Sequence, residues 1–121
     1  MKSILIIVDN YNIRENTAEI LEMFGFEIRV AENGTQGLYL VNKRIPDLIL
    51  CDMRMPKMNG TEVLIRLKNN PITAEIPFVY IAATIEKNTV NRVMEIGADG
   101  CIRKPFDGDD LIDQVRQLIG S

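Results

Sequence analysis

The chain has 121 residues, 46% of them hydrophobic and 26% charged, with a net charge of −3 at neutral pH. That length suits one domain with a proper core, and the acidic balance gives no long-range attraction for nucleic acid or anionic lipid. The absence of histidine excludes His-based metal sites, Ser-His-Asp hydrolysis and a phosphohistidine role for this chain.

The first apolar run, Ser3 to Val8, lacks polar alternation, as a central strand requires. It is too short for a signal-peptide core or a membrane span, and Asp9 cuts it off. Ile13, Thr17, Ile20, Leu21 and Phe24 follow helical spacing and predict an inward stripe, with Gly25 as the stop. Phe26, Ile28 and Val30 alternate with polar residues, which predicts a strand nearer the edge. Asn33-Gly34 reads as a turn, followed by a short helix carrying Leu38 and Val41 towards Arg44.

After Pro46, Leu48 to Cys51 is the third predicted strand. Asn59-Gly60 opens a third helix marked by Val63, Leu64 and Leu67, and Asn69-Asn70-Pro71 ends it. Pro77 to Ala82 is the fourth strand. Val90, Val93 and Met94 are expected to face inward from a fourth helix ended by Gly97. Gly100 to Arg103 is the fifth strand, and Leu111, Ile112, Val115, Leu118 and Ile119 form the stripe of a last helix.

Five apolar runs alternating with five helix-period segments predict an α/β fold, a doubly wound five-stranded parallel sheet covered on both faces. Right-handed crossovers leave few topologies, and the flavodoxin-like order 2-1-3-4-5 places the first and third strands at the switch point. Residues 1–121 are expected to form a single domain. Cys51 and Cys101 sit in apolar runs on strands this order separates, so they should stay unpaired, in keeping with a reduced, cytoplasmic setting.

Asp52 closes the third strand, Asp9 ends the first, and Lys104 follows the fifth. The carboxyl ends of the strands are where open α/β sheets hold their chemistry. Two neighbouring carboxylates with loop carbonyls nearby make a hard-oxygen site suited to Mg²⁺. A carboxylate nucleophile, a metal and an ammonium are what phosphoryl transfer to Asp requires. Taken singly, each residue has a plainer reading: Asp after a strand is commonly a turn or cap, and a lone lysine is commonly solvated. The weight lies in the three together. Met53, Met55 and Met58 read as filler.

This set, with Asp52-Met53-Arg54-Met55-Pro56-Lys57-Met58-Asn59-Gly60 and Lys104-Pro105-Phe106, resembles the CheY-like receiver domain of two-component response regulators, from end to end of the chain. The resemblance implies Asp52 as phosphoacceptor and Lys104 as the lysine that pairs with the phosphoryl group. It implies a Mg²⁺ cofactor held by Asp9, Asp52, the backbone carbonyl of Arg54, and Asn10 in the place of a second acid. Lys104-Pro105 would commonly be cis. Implied partners are a sensor histidine kinase or phosphotransfer protein and a downstream protein target, without direct nucleic-acid or membrane contact. A monomer or weak dimer is expected, with no enzymatic activity beyond its own phosphorylation and dephosphorylation.

Three residues depart from the family pattern. Asn10 lowers the negative charge of the pocket, which implies weaker Mg²⁺ binding. Ala82 stands where the family usually has Ser or Thr, with Thr84 as a substitute hydroxyl, and Cys101 replaces the usual aromatic. These departures keep open a phosphorylation-independent adaptor on the same fold. A cofactor carrier fits less well, because Asn10-Tyr11-Asn12-Ile13-Arg14 is not a Ser/Thr-rich phosphate loop. A haloacid-dehalogenase phosphatase would want an Asp where Arg54 stands.

Overall fold

The computed structural model describes residues 1–82, 87–104 and 106–120; Thr84 and Pro105, with the expected cis bond, lie outside them. Strands and helices alternate throughout: β1 (Ser3–Ile7), α1 (Tyr11–Met23), β2 (Glu27–Ala31), α2 (Gly34–Lys43), β3 (Leu48–Asp52), α3 (Gly60–Lys68), β4 (Phe78–Ala82), α4 (Lys87–Ile96), β5 (Gly100–Arg103) and α5 (Gly108–Ile119). The sheet is parallel, in the order β2-β1-β3-β4-β5, as the sequence predicts. Every residue of β1, β3 and β4 is buried, whereas the edge strands β2 and β5 are only partly so.

Strand side chains alternate between two cores. One holds Ile4, Ile6, Leu48, Leu50, Val79 and Ile81 against α1 and α5. The other holds Leu5, Ile7, Ile49, Cys51, Phe78 and Tyr80 against α2, α3 and α4. Four helices begin on an Asx cap. The side chains of Asn10, Asn33, Asn59 and Asp107 accept from the backbone N–H three residues on, at 2.8–3.0 Å, satisfying donors that the first helical turn leaves free.

Asn33-Gly34 is therefore a helix start and not a turn. Phe24 is expected inside but is 43% exposed, with the Arg116 guanidinium over its ring. Val30 and Met94 also face outward. Ala31 on β2 and Ile96 on α4 pack against the α2–α4 core. Both cysteines are free.

Cys51, Tyr80 and Cys101 share one rung across β3, β4 and β5. The tyrosine is fully buried, and small side chains on either side make room for its ring. Gly60 yields as well, since a Cβ there would meet Tyr80 Cε1 at 2.9 Å. Burial pushes the Tyr80 phenol up, and the nearby Thr61 hydroxyl opposes this. The Tyr80 hydroxyl makes no hydrogen bond. A buried unpaired hydroxyl costs free energy, so Tyr80→Phe should stabilise the fold by about 1 kcal/mol. The expected readout is a higher urea midpoint with an unchanged m-value; a lower midpoint would reveal a hydrogen bond to Thr61.

Candidate functional site

The carboxyl ends of β1, β3 and β5 bring Asp9, Asp52 and Lys104 to one edge of the sheet. Asp52 is the last residue of β3 and only 4% exposed. Lys104 directly follows β5, which is not the neighbour of β3, so its side chain must reach across the end of β4. Its backbone N–H donates to the Ala82 carbonyl at 2.7 Å, holding the chain against β4. Its Nζ then lies 3.3 Å from Asp52 Oδ1 and 3.2 Å from Oδ2. A long flexible stem ending in a compact charge suits that span.

Burial pushes the Asp52 carboxyl above the usual range, because the charged form loses hydration. The Lys104 ammonium opposes this, the Asp9 charge adds to it, and the Arg54 backbone N–H favours the ionised form. Asp9 is thus close enough for the two carboxylates to repel. The Cys51 thiol beside them is driven up by burial and by the Asp52 charge, and remains protonated.

The loop after β3 is tightly wound. Gly60 N–H donates to Met53 O and Met58 N–H to Pro56 O, both at 2.9 Å, with Lys57 in the left-handed region at φ 70°. A Cβ on Gly60 would collide with the Asp52 carbonyl oxygen, so only glycine lets α3 start this close to the site.

Asn10 has another task. Its Oδ1 accepts from Ile13 N–H at 3.0 Å, so the side chain expected to bind a cation is committed to starting α1. It could join a metal shell only by sharing or giving up that cap. Arg14 was not singled out from the sequence. It donates from Nη1 to the carbonyls of Val8, at 2.9 Å, and Asp9, at 3.3 Å, fixing the end of β1. Its position five residues after Asp9, in the first turn of the predicted helix, was the available signal.

Two mutually repelling carboxylates beside loop carbonyls fit Mg²⁺, which commonly takes one or two carboxylates and keeps several waters. Among the described residues no cluster of three or more His, Cys, Asp or Glu is placed to hold a metal. A cation at Asp9 and Asp52 would therefore draw further donors from backbone carbonyls and water.

The raised Asp52 value carries a pH signature in metal-free buffer. A carboxyl raised in the folded state gives stability that is present below its unfolded pKa and lost as pH rises through the folded pKa. Asp52→Asn should therefore unfold at a higher temperature than wild type at neutral pH. The gap should close as pH falls towards the ordinary value of 3.8. A wild type more stable than the variant at neutral pH would mean that Lys104 outweighs burial.

The sequence profile of the response regulator receiver domain matches residues 4–116. Sporulation initiation phosphotransferase F of Bacillus subtilis is 36% identical over 118 residues, covering 98% of this chain and 94% of that protein. The phosphate regulon transcriptional regulatory protein PhoB of Pseudomonas aeruginosa is 38% identical over 118 residues, 98% of this chain, and the chain spans about half (52%) of its length. A putative response regulator from Chloroflexus aurantiacus superposes with a TM-score of 0.93 at 26% identity, covering 99% of this chain and 98% of that one. Chemotaxis protein CheY4 of Vibrio cholerae shares the fold at a TM-score of 0.94 and 24% identity, covering 98% of each chain. With its strand order, its acidic strand ends and a profile match that begins in β1 and reaches into α5, the chain belongs to the receiver domain family of two-component response regulators.

Proposed function

We propose that Asp52 accepts a phosphoryl group from a sensor histidine kinase or phosphotransfer protein, and that the resulting acyl phosphate alters a surface read by a downstream protein. The observation that carries this reading is the Lys104 ammonium lying 3.2–3.3 Å from both oxygens of a buried strand-end carboxylate. Asp52 must be ionised to attack. Burial works against that and Lys104 works for it.

In the transfer, one Asp52 oxygen bonds to phosphorus as the P–N bond to the donor imidazole breaks, and the bonding pair returns to that nitrogen. Charge moves from the carboxylate to the phosphoryl oxygens, within reach of the same ammonium. Asp9, Asp52 and the Arg54 carbonyl would hold Mg²⁺, with Asn10 only if it shares its cap, and the bound cation would supply further positive charge for the transfer. We read residues 1–121 as one receiver module, a monomer or weak dimer in the cytoplasm that turns over no other substrate. The acidic charge supports an absence of direct nucleic-acid contact. Among the described residues no helix is long and apolar enough to cross a membrane.

Incubation with acetyl phosphate and Mg²⁺ should add the mass of one phosphoryl group to the intact protein. The gain should vanish in Asp52→Ala and with EDTA. A gain that persists in Asp52→Ala would move the site elsewhere, and no gain under any donor and metal condition would reject the activity.

One observation favours a second reading, a partner-binding adaptor without phosphorylation control. Ala82, 3% exposed at the end of β4, offers no hydroxyl to a phosphoryl oxygen. A hydrogen bond to a charged group contributes roughly 1.5–3 kcal/mol, and a ligand shifts a conformational equilibrium only through contacts that differ between the states. Beryllofluoride should therefore move amide shifts in the loops after Asp52 and Lys104 strongly, and those of α4, β5 and α5 weakly. Ala82→Thr should enlarge the distant response. A full-sized distant response in the wild type would show that other contacts do the coupling.

A further inference from the structure

We propose that Arg14 is a positioning residue for the cation site, holding the backbone on either side of Asp9 so that its carboxylate stays beside that of Asp52. The inference rests on reading Asp9 and Asp52 as a Mg²⁺ site and names the side chain that orients it. The ladders of β1 with β2 and β3 both end at Ile7, and a last bond runs from Val8 N–H to Ala31 O at 3.0 Å. Asp9 therefore stands beyond the paired strand, on backbone that the ladder no longer fixes. It is exposed, yet its charge is felt at the Asp52 carboxyl. A constraint other than the sheet must keep it there.

Arg14 supplies that constraint. Its Nη1 donates to Val8 O at 2.9 Å and to Asp9 O at 3.3 Å. These carbonyls belong to the peptide units before and after the Asp9 Cα, so holding both restricts the backbone angles of Asp9 and with them the direction of its carboxylate. The guanidinium is itself held. Its Cζ lies 5.5 Å from the centroid of the Tyr11 ring, and its Nε lies 3.7 Å from Glu15 Oε2. Only 14% of the side chain is exposed, and a charge withdrawn from water needs hydrogen-bonded partners, which these two carbonyls provide. Tyr11 and Glu15 both lie on α1, whose start is fixed by the Asn10 cap on Ile13 N–H. The end of β1 and the start of α1 are thus clamped together around Asp9.

Position and charge give opposite signs. If Arg14 acted only as a charge, removing it from beside an acidic pocket would tighten Mg²⁺ binding. Releasing the Asp9 backbone should weaken binding instead, because groups that orient a metal ligand commonly contribute about ten- to hundredfold in affinity. The test is a Mg²⁺ titration followed by amide shifts at Asp9, Asp52 and Arg54 in wild type, Arg14→Lys and Arg14→Gln. Arg14→Gln should bind about tenfold more weakly than wild type. Arg14→Lys, which keeps the charge but lacks the planar fork, should fall between the two and carries the test if Arg14→Gln does not fold. In phosphorylation by acetyl phosphate, Arg14→Gln should need about tenfold more Mg²⁺ for half its maximal rate, and excess Mg²⁺ should restore the rate.

Unchanged or tighter binding in a folded Arg14→Gln protein, or in Arg14→Lys where that one does not fold, would overturn the inference. So would a rate that excess Mg²⁺ fails to restore. Phosphoryl transfer to Asp52 persisting alongside unchanged affinity would leave the proposed function standing. Failure of transfer in a wild type whose Mg²⁺ affinity still falls with Arg14→Gln would overturn the proposed function and sustain this inference.

Discussion

A carboxylate withdrawn from water at the end of a central strand, answered by a single ammonium, is the interaction on which the site depends. Removing a carboxylate from water costs several kcal/mol unless a partner of opposite charge is held in good geometry. The partner of Asp52 comes from two strands away. Its placement therefore relies on the registers of both β3–β4 and β4–β5, which pair Asp52 with Ile81 and Ala82 with Arg103. A slip of one residue in β5 would turn Lys104 to the opposite face. The hydrophobic alternation that fixes register, with Ile102 in one core and Cys101 packed against the other, thus also fixes the electrostatics. Arg103, whose side chain points away from Asp52 by the same alternation, could not take the role of Lys104.

Close packing on the opposite face shapes the loop that covers the site. Tyr80 fills the space between β4 and α3, edge-on to Phe78 with ring centroids 5.0 Å apart. Its bulk makes sense of three small neighbours, Cys51, Cys101 and Gly60. The beginning of α3 is held against this ring by the Asn59 cap and the Gly60–Met53 hydrogen bond. The helix start, the Asp52 loop and the core beneath them form one continuous contact.

The capping residues show how one side-chain type takes on different duties. Asn10, Asn33, Asn59 and Asp107 do the same work at four helix starts, and for Asn10 that work competes with any role towards a cation. The receiver fold accounts for nearly all of one relative and about half of another. The geometry of the Asp52 site is built entirely from strand ends and loops within this one sheet.

The sequence alone determined the ten alternating elements, their order in the sheet and the three charged residues at its carboxyl edge. Those features are written locally, in unbroken apolar runs, helical spacing and Asx or Gly punctuation, and the crossover rule then leaves few ways to assemble them. It misplaced residues whose position depends on neighbours distant in the chain: Phe24 lies under Arg116, and Met94 faces outward. Asn33 was legible as a polar break but not as a cap, since turn and cap use the same side chain. Only the tertiary structure decided that Asn10 holds a helix and that Arg14 fastens the end of β1. Their partners lie only a few residues away in the chain, but which partner each side chain takes is settled by how α1 is set against the end of β1.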